Sequence, residues 1–333
     1  VRVLLTGGHG FIGSHLVRLL LREGDRVRCL VRRAGVPDSL AGLPVEVVPG
    51  DVTRPETLER ALEGVEEVHH LAGRLTSLTR REMVHTNVRG TWNLAAAALR
   101  AGTVRRFVHC SSLAVSGPTP DGCPATTEDA VPNPVTWYGA SKAESERVVR
   151  AVGERGLPFT VVRPPVVYGP RDKALLPLFR LAAAGLRPAL GRPGKRYSWV
   201  YGPDLAEAFL RLARSPGAQG RTYFAGHPEE APAERFVERA AAAAGRRGVE
   251  VRLPESLLSL VAHVSDSVAQ VTGRPAMLTR DKMHELVPSA WVCDSSAAER
   301  DAGWRARTGI EDGVRETMRW YVEAGWVRAR AVA

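Results

Sequence analysis

Apolar residues in the first half of the chain come in short consecutive runs separated by stretches of helical spacing. The runs at 1–6 (VRVLLT), 26–31 (RVRCLV), 45–48, 66–72 (EEVHHLA), 105–110 (RRFVHC) and 159–163 (FTVVR) predict strands. Between them, 14–22, 55–62, 87–101 and 138–153 place apolar side chains three and four apart and predict helices. Runs without strict alternation are what a strand buried on both faces requires. The alternation of strand and helix therefore predicts an α/β, doubly wound parallel sheet with helices on both sides.

The texture changes after Arg163. The Pro- and Gly-rich segments PPVVYGPRD and GLRPALGRPGKRYS flank a helical ALLPLFRLAAAG, and 204–214, 233–245, 255–272 and 311–323 again have helical spacing, separated by short strands such as RTYFAG. We expect a sheet domain over 1–165, with later pieces near 198–215, and a smaller, mostly helical lobe over 166–333. Such a lobe would close over the carboxyl ends of the strands.

Composition and charge exclude several functions. Among 333 residues, 44% are hydrophobic and 25% charged, as in an ordinary globular enzyme-sized chain. The net charge of +10 comes from 46 basic residues, of which only Lys142, Lys173, Lys195 and Lys282 are not Arg. They are spread out, with no basic run of five and no aromatic-interleaved stripe, so no nucleic-acid partner is expected. The charge does favour anionic ligands in a cleft. Cys29, Cys110, Cys123 and Cys293 are scattered, and His69 and His70 are adjacent on a strand and so point to opposite faces, which predicts neither disulfides nor a metal site. No apolar run is long enough for a membrane span, and the sequence starts with a strand rather than a signal peptide, so a cytoplasmic location is expected.

Within this framework the segment TGGHGFIGSHL (6–16) places Gly7, Gly10 and Gly13 between a strand and a helix. Glycines there let the backbone approach a dinucleotide pyrophosphate, whose charge the exposed N–H groups and the positive helix end favour. Asp51, in PGDVT, is a polar group near the expected adenine position, or an ordinary helix-entry turn. In YGASK (138–142), Tyr138 and Lys142 are four apart and share a helix face, so a nearby ammonium could stabilise tyrosinate. CSSLAVSG (110–117) ends an apolar strand with two hydroxyls at the sheet edge where ligands bind; Ser112 could donate to a substrate oxygen or cap local backbone.

In order, the glycine turn, HHLAG, TNVRGTWNL, CSSLAVSG, YGASK and RPPVVYGP resemble the extended short-chain dehydrogenase/reductase family, also called the NAD-dependent epimerase/dehydratase family. The resemblance covers most of the chain and is strongest through residue 170. It implies a Rossmann domain with a nicotinamide cofactor and a Ser–Tyr–Lys site. Ser112 would polarise the substrate oxygen, Tyr138 act as general acid/base, and Lys142 hold the nicotinamide ribose and lower the phenol pKa. Asn87 would position Lys142 through water. Cofactor contacts are expected from Gly7, Gly10, Phe11, Ile12, Gly13, Asp51, Val52, Leu71, Ala72 and Gly73, from Tyr138 and Lys142, and from the turn Pro164, Pro165 and Val166. A homodimer is implied as well.

Two departures refine the reading. Where NAD-using members carry an acid at the end of the second strand, this chain has Val31 followed by Arg32 and Arg33, a pair suited to a 2′-phosphate. NADP(H) is therefore expected over NAD(H). Further on, GKRYSWVYGPDLAEA, LPESLLSLVAHVSDSVAQVTGRPAMLTRDKM and WVCDSSAAERDAGW resemble the 3β-hydroxysteroid dehydrogenase branch. Leu257, Leu258, Leu260, Val261 and Val264 are candidate walls of an apolar pocket, and Trp137 and Trp199 candidate substrate contacts. The expected activity is interconversion of a secondary alcohol and a ketone on a small hydrophobic substrate. A nucleotide-sugar epimerase or dehydratase with retained NAD and a non-catalytic NADP sensor are the alternatives.

Overall fold

Each predicted strand of the first half forms within a residue or two of its expected bounds; the run at 66–72 is strand only over Glu67–His70. The computed structural model describes residues 1–33, 35–276 and 278–328; Ala34, Met277 and 329–333, which fall within stretches read above, lie outside the described residues. In chain order the first half contains β1 (Arg2–Thr6), α1 (Phe11–Arg22), β2 (Arg26–Val31), β3 (Glu46–Pro49), α2 (Leu58–Leu62), β4 (Glu67–His70), α3 (Arg80–Val84), α4 (Gly90–Ala101), β5 (Arg106–Cys110), α5 (Trp137–Gly153) and β6 (Phe159–Arg163). The helix expected at 87–101 starts earlier than its apolar spacing suggested. Thr79 caps α3 by accepting from Glu82 N, and a π-helical turn at His85–Arg89 joins α3 to α4. The T-x-x-E spacing of Thr79 and Glu82 is the local signal for that start.

The second half adds β7 (Val166–Tyr168), α6 (Leu176–Ala183), β8 (Leu186–Leu190), β9 (Arg196–Tyr201), α7 (Gly202–Arg214), β10 (Thr222–Phe224), β11 (Glu230–Pro232) and α8 (Ala233–Ala243). These are followed by β12 (Val249–Leu253), α9 (Glu255–Thr272), α10 (Arg280–Leu286), β13 (Ala290–Trp291), α11 (Ser296–Ala302) and α12 (Ile310–Glu323).

The main sheet has seven parallel strands in the order β10-β6-β5-β4-β1-β2-β3. The order reverses at β1, between β4 and β2, so the crevice for a ligand opens at the carboxyl end of β1, where the glycine turn lies. On one face Leu16, Val17 and Leu20 of α1 pack with Leu205, Phe209 and Leu212 of α7 and with Trp304; on the other Leu94, Ala95 and Ala98 of α4 pack with Val149 and Val152 of α5. Both faces of the sheet are thereby removed from water, the main driving force for this architecture.

The chain after Arg163 does not form a single lobe. Its α7 returns to pack on α1, β10 extends the main sheet, and Ala297, Ala298 and Trp304 join the same core. The later contributions to the sheet domain thus run beyond 198–215, because β6 would otherwise leave an open edge. The remaining elements build the smaller lobe around β9, which pairs with β7, β11 and β13, and around a β8–β12 ribbon. The core of that lobe is aromatic: Tyr168, Phe179, Trp199, Phe236 and Tyr321.

Candidate functional site

The glycine turn is shaped by contacts that leave no room for side chains on its inner side. A Cβ on Gly13 would stand 2.2 Å from Gly7 O, and one on Gly7 would stand 2.9 Å from Ala72 N, with φ at Gly7 of +75°. Gly13 therefore lets α1 close on the turn, and Gly7 lets the turn lie against the end of β4. Gly10 differs: its Cβ would meet only Gly7 O, at 3.2 Å. The helix that follows has no side-chain cap at Gly10 and no acid in its first turn. A bare, positive helix end beside an open glycine is what a pyrophosphate fits. Phe11 and Ile12 are half-buried in this first turn.

Around it stand the other expected contacts. Leu71 and Ala72 follow β4, their N–H groups donating to Thr6 O (3.0 Å) and Thr6 Oγ1 (3.2 Å). Gly73 is exposed, and a Cβ there would lie 3.4 Å from Lys142 Nζ. Asp51 uses Oδ1 for its own turn, accepting from Thr53 N at 2.9 Å and Thr53 Oγ1 at 2.8 Å. Val52 is buried against Gly90. Arg32 and Arg33 are exposed at the end of β2, and neither pairs with a carboxylate among the described residues.

At the carboxyl end of β5 the hydroxyl and amine groups converge. Thr136 caps α5, accepting from Gly139 N at 3.1 Å. A Cβ on Gly139 would stand 2.5 Å from Ala114 O, so glycine lets the first turn of α5 press against the turn that begins at Ser112. Ser112 accepts from Ala114 N at 3.2 Å, the capping role open to it from sequence. Its hydroxyl also acts on Tyr138, toward the tyrosinate. Burial outweighs that influence and pushes the Tyr138 phenol above its ordinary value. The Lys142 ammonium is turned to Cys110 O at 2.7 Å, and burial pulls its pKa down, opposed by Cys110 and by the carboxylate of Glu146.

Asn87 sits in the π-helical turn and braces the segment after β4. Its Oδ1 accepts from Arg74 N at 2.7 Å, while Nδ2 donates to Arg74 O and to Ser141 Oγ at 2.9 Å. A buried chain links it to the glycine turn. Thr91 donates to Asn87 O at 2.6 Å and so accepts from His70 Nε2 at 2.8 Å; His70 Nδ1 then accepts from Thr6 Oγ1 at 2.7 Å. These roles require neutral His70, and burial with the Lys142 charge lowers its pKa to about 3. Pro164 ties the turn at 164–166 to the same place, its carbonyl accepting from Leu113 N at 2.9 Å. Pro165 and Val166 beside it are half-buried.

Tyr138 borders a cavity of about 430 Å³ beneath α9 and α10, walled on its apolar side by Leu75, Leu78, Met83, Trp137 and Ala269. Trp137 thus lies where a substrate contact was expected. Trp199 does not: it is buried in the smaller lobe, stacked on Phe236 at 4.4 Å with Nε1 donating to Ala231 O. Nor do Leu257, Leu260, Val261 and Val264 wall the cavity; they are exposed, and Leu258 alone of that set is buried. The helix presents Asp266, Ser267, Ala269 and Gln270 to the cavity instead.

Several supporting residues carried no local signal. Glu146 is held by Arg163 through two 2.8 Å bonds and by Ser111 at 2.5 Å, which anchors α5 to β6 and β5; the guanidinium holds its carboxyl below the ordinary range despite burial. Asp281 and Glu285 of α10 accept from Trp137 N and Thr136 Oγ1, clamping the start of α5 from above. Only the spacing of Glu146 to Lys142 and Tyr138, on one helix face, was visible beforehand. Among the described residues no group of His, Cys, Asp and Glu is arranged to hold a metal ion.

A sequence model described as the NAD dependent epimerase/dehydratase family matches residues 3–226. The chain belongs to that family. It is an NAD(P)-dependent oxidoreductase of the extended short-chain dehydrogenase/reductase type, and the bare glycine turn fits the family's cofactor. The chain is 32% identical to a ceramide reductase of Caulobacter vibrioides over 99% of this chain and 98% of the relative. It is also 32% identical to sterol demethylase protein B of Methylococcus capsulatus, over 97% and 99%. Among solved structures, the UDP-glucose 4-epimerase of Thermus thermophilus in complex with NAD superposes with a TM-score of 0.78 at 25% identity, covering 97% of this chain and 100% of that one. Family membership accounts for the seven-stranded sheet and the glycine turn; it does not by itself select a substrate.

Proposed function

We propose that this family member is an NADP(H)-preferring oxidoreductase interconverting a secondary alcohol and a ketone on a hydrophobic substrate. The observation that carries the reading is the position of Tyr138. It borders the cavity beneath α9 and α10, with an apolar wall on one side, and stands next to Ser112 and the end of β5 to which Lys142 is bonded on the other. When bound, the nicotinamide supplies the hydride chemistry. Tyr138, kept protonated by burial, gives a proton to the substrate oxygen during reduction and takes it back during oxidation. Ser112 donates to the same oxygen and stabilises the charge that grows there. Lys142, Gly73 and Asn87 lie together and are suited to hold the nicotinamide ribose. Arg32 and Arg33, unpaired after Val31, would hold the 2′-phosphate.

The hydrophobic substrate class is supported by Leu75, Leu78, Met83 and Trp137 on the cavity wall and by relatives named for ceramide and sterol chemistry. The deciding experiment follows NADPH absorbance against a panel of apolar ketones, with long-chain and polycyclic members, and of UDP-sugars. Turnover of apolar ketones with NADPH is the expected result. Copurified NAD, no turnover of added NADPH and conversion of a UDP-sugar would replace this reading with that of an epimerase.

A further inference from the structure

The β8–β12 ribbon of the smaller lobe has an open edge. Its strands pair in parallel, with Leu186 beside Val249 and Leu190 beside Leu253. Val249 N donates to Gly185 O and Leu253 O accepts from Gly191 N, both at 2.9 Å, so Val249, Val251 and Leu253 turn their backbone groups toward β8. Alternation then points the N–H and C=O groups of Glu250 and Arg252 away from β8, where no other strand among the described residues takes them up. Edges of this kind are commonly blunted by a lysine, a proline or a bulge, and β12 (VEVRL) has none of these.

The side chains continue the pattern. Leu186, Val249 and Val251 share one face of the ribbon and are 42%, 67% and 41% exposed. Glu250 and Arg252 share the other, bonded to each other at 2.7 Å, with Arg252 also 3.8 Å from Glu234. A second β12 laid antiparallel on this edge, about a two-fold axis at Val251, matches every one of these features. Glu250 of one copy then stands opposite Arg252 of the other, and Val249 opposite Leu253. Both charged pairs bring outward backbone groups together, so each exchanges two N–H···O=C bonds. Val251 meets its own counterpart at the non-hydrogen-bonded position, where side chains are closest. A slip of one residue sets outward groups against inward ones, and a slip of two sets Glu250 against Glu250 or Arg252 against Arg252. We propose that β12 is a self-association edge, joining two copies of this chain through a four-stranded sheet β8-β12-β12-β8. A five-residue strand contact is small against the roughly 1,600 Å² of a standard interface, so the association is weak and reversible. Because β12 leads through Pro254 into α9, pairing would steady a wall of the cavity at Tyr138.

Sedimentation reads association without substrate or cofactor, so its outcome is independent of the proposed reaction. The parent should self-associate reversibly over a concentration series. Glu250→Arg and Arg252→Glu each set like charges opposite one another and should raise the dissociation constant by about tenfold or more. Mixed together, the two variants oppose Arg to Glu at both pairs and should associate as well as the parent; circular dichroism verifies that each is folded. Oxidation reads the register. In a Cys123→Ser background, where the remaining cysteines are buried, Val251→Cys should form an interchain disulfide and Val249→Cys should not. A parent that stays monomeric into the millimolar range overturns the proposal. An oligomer that neither single variant weakens does so too, as does a mixture that fails to regain association, since the contact would then lie elsewhere. Crosslinking of Val249→Cys as readily as Val251→Cys would overturn the pairing about Val251.

Discussion

Lys142 donates its ammonium hydrogen to the carbonyl oxygen of Cys110 at 2.7 Å, across 32 residues of sequence. That bond fixes α5 to the end of β5, two residues before Ser112. The ammonium thereby supports the geometry of the site, while the acidity of Tyr138 is set by burial and opposed by Ser112.

Tyr138→Phe should lower kcat by roughly 10²–10⁴-fold, the usual contribution of a positioned acid or base, and leave the dissociation constant for cofactor unchanged. Steady-state kinetics with fluorescence titration of cofactor measures both. Undiminished turnover would remove Tyr138 from the proton step.

The raised phenol pKa gives the two directions different pH profiles. Reduction needs the protonated phenol, the dominant form at neutral pH, so kcat/KM for the ketone should be flat from pH 6 to 8. Oxidation needs the tyrosinate, whose small fraction grows about tenfold per pH unit below its pKa. The rate of alcohol oxidation should rise accordingly over the same range. A flat oxidation profile would point to another base.

Gly10 and Gly13 should fail in different ways. Valine at Gly13 would meet Gly7 O and Gly8 Cα inside contact distance and should prevent stable folding. Valine at Gly10 meets only Gly7 O, so the fold should survive while the side chain occupies the ground in front of the helix end. Thermal melting of both variants, with cofactor titration of Gly10→Val, distinguishes structure from binding.

Arg32→Ala should abolish most of the preference for NADPH while hardly changing NADH affinity. A hydrogen bond to a charged group contributes about 1.5–3 kcal/mol, which corresponds to roughly tenfold or more in affinity. Dissociation constants for both cofactors, on the parent and the variant, test this. Equal affinities in the parent would make Arg32 and Arg33 plain surface charge.

His15 and His70 are held neutral, both lowered from 6.5 to about 3, chiefly by burial. A depressed folded pKa means that their stabilisation is fully present above pH 6.5 and is lost progressively as pH falls toward 3. Each should cost on the order of 1.4 kcal/mol per pH unit over that interval. Urea denaturation from pH 7 to 4 should show the loss, and His70→Asn should make the slope shallower.

The sequence by itself determined the sheet, its parallel sense, the glycine turn and the helix that carries Tyr138 and Lys142. Each rests on local physics: side-chain periodicity reports which faces are buried, and glycines report where backbone approaches backbone. Even Thr79, whose cap begins α3 earlier than apolar spacing predicts, left a readable local mark in Glu82. What local pattern could not reveal was the identity of contacts between distant segments. Trp199 reads as a pocket residue until Phe236, far along the chain, stacks on it. The stripe on α9 reads as a pocket wall until tertiary packing selects Leu258, Ala262 and Ala269 as the buried face and turns Leu260 and Val264 outward. The Glu146–Arg163–Ser111 anchor and the clamp of Asp281 and Glu285 on α5 exist only once three or more elements meet. Periodicity specifies that a face is apolar; only the folded chain decides which apolar face it meets.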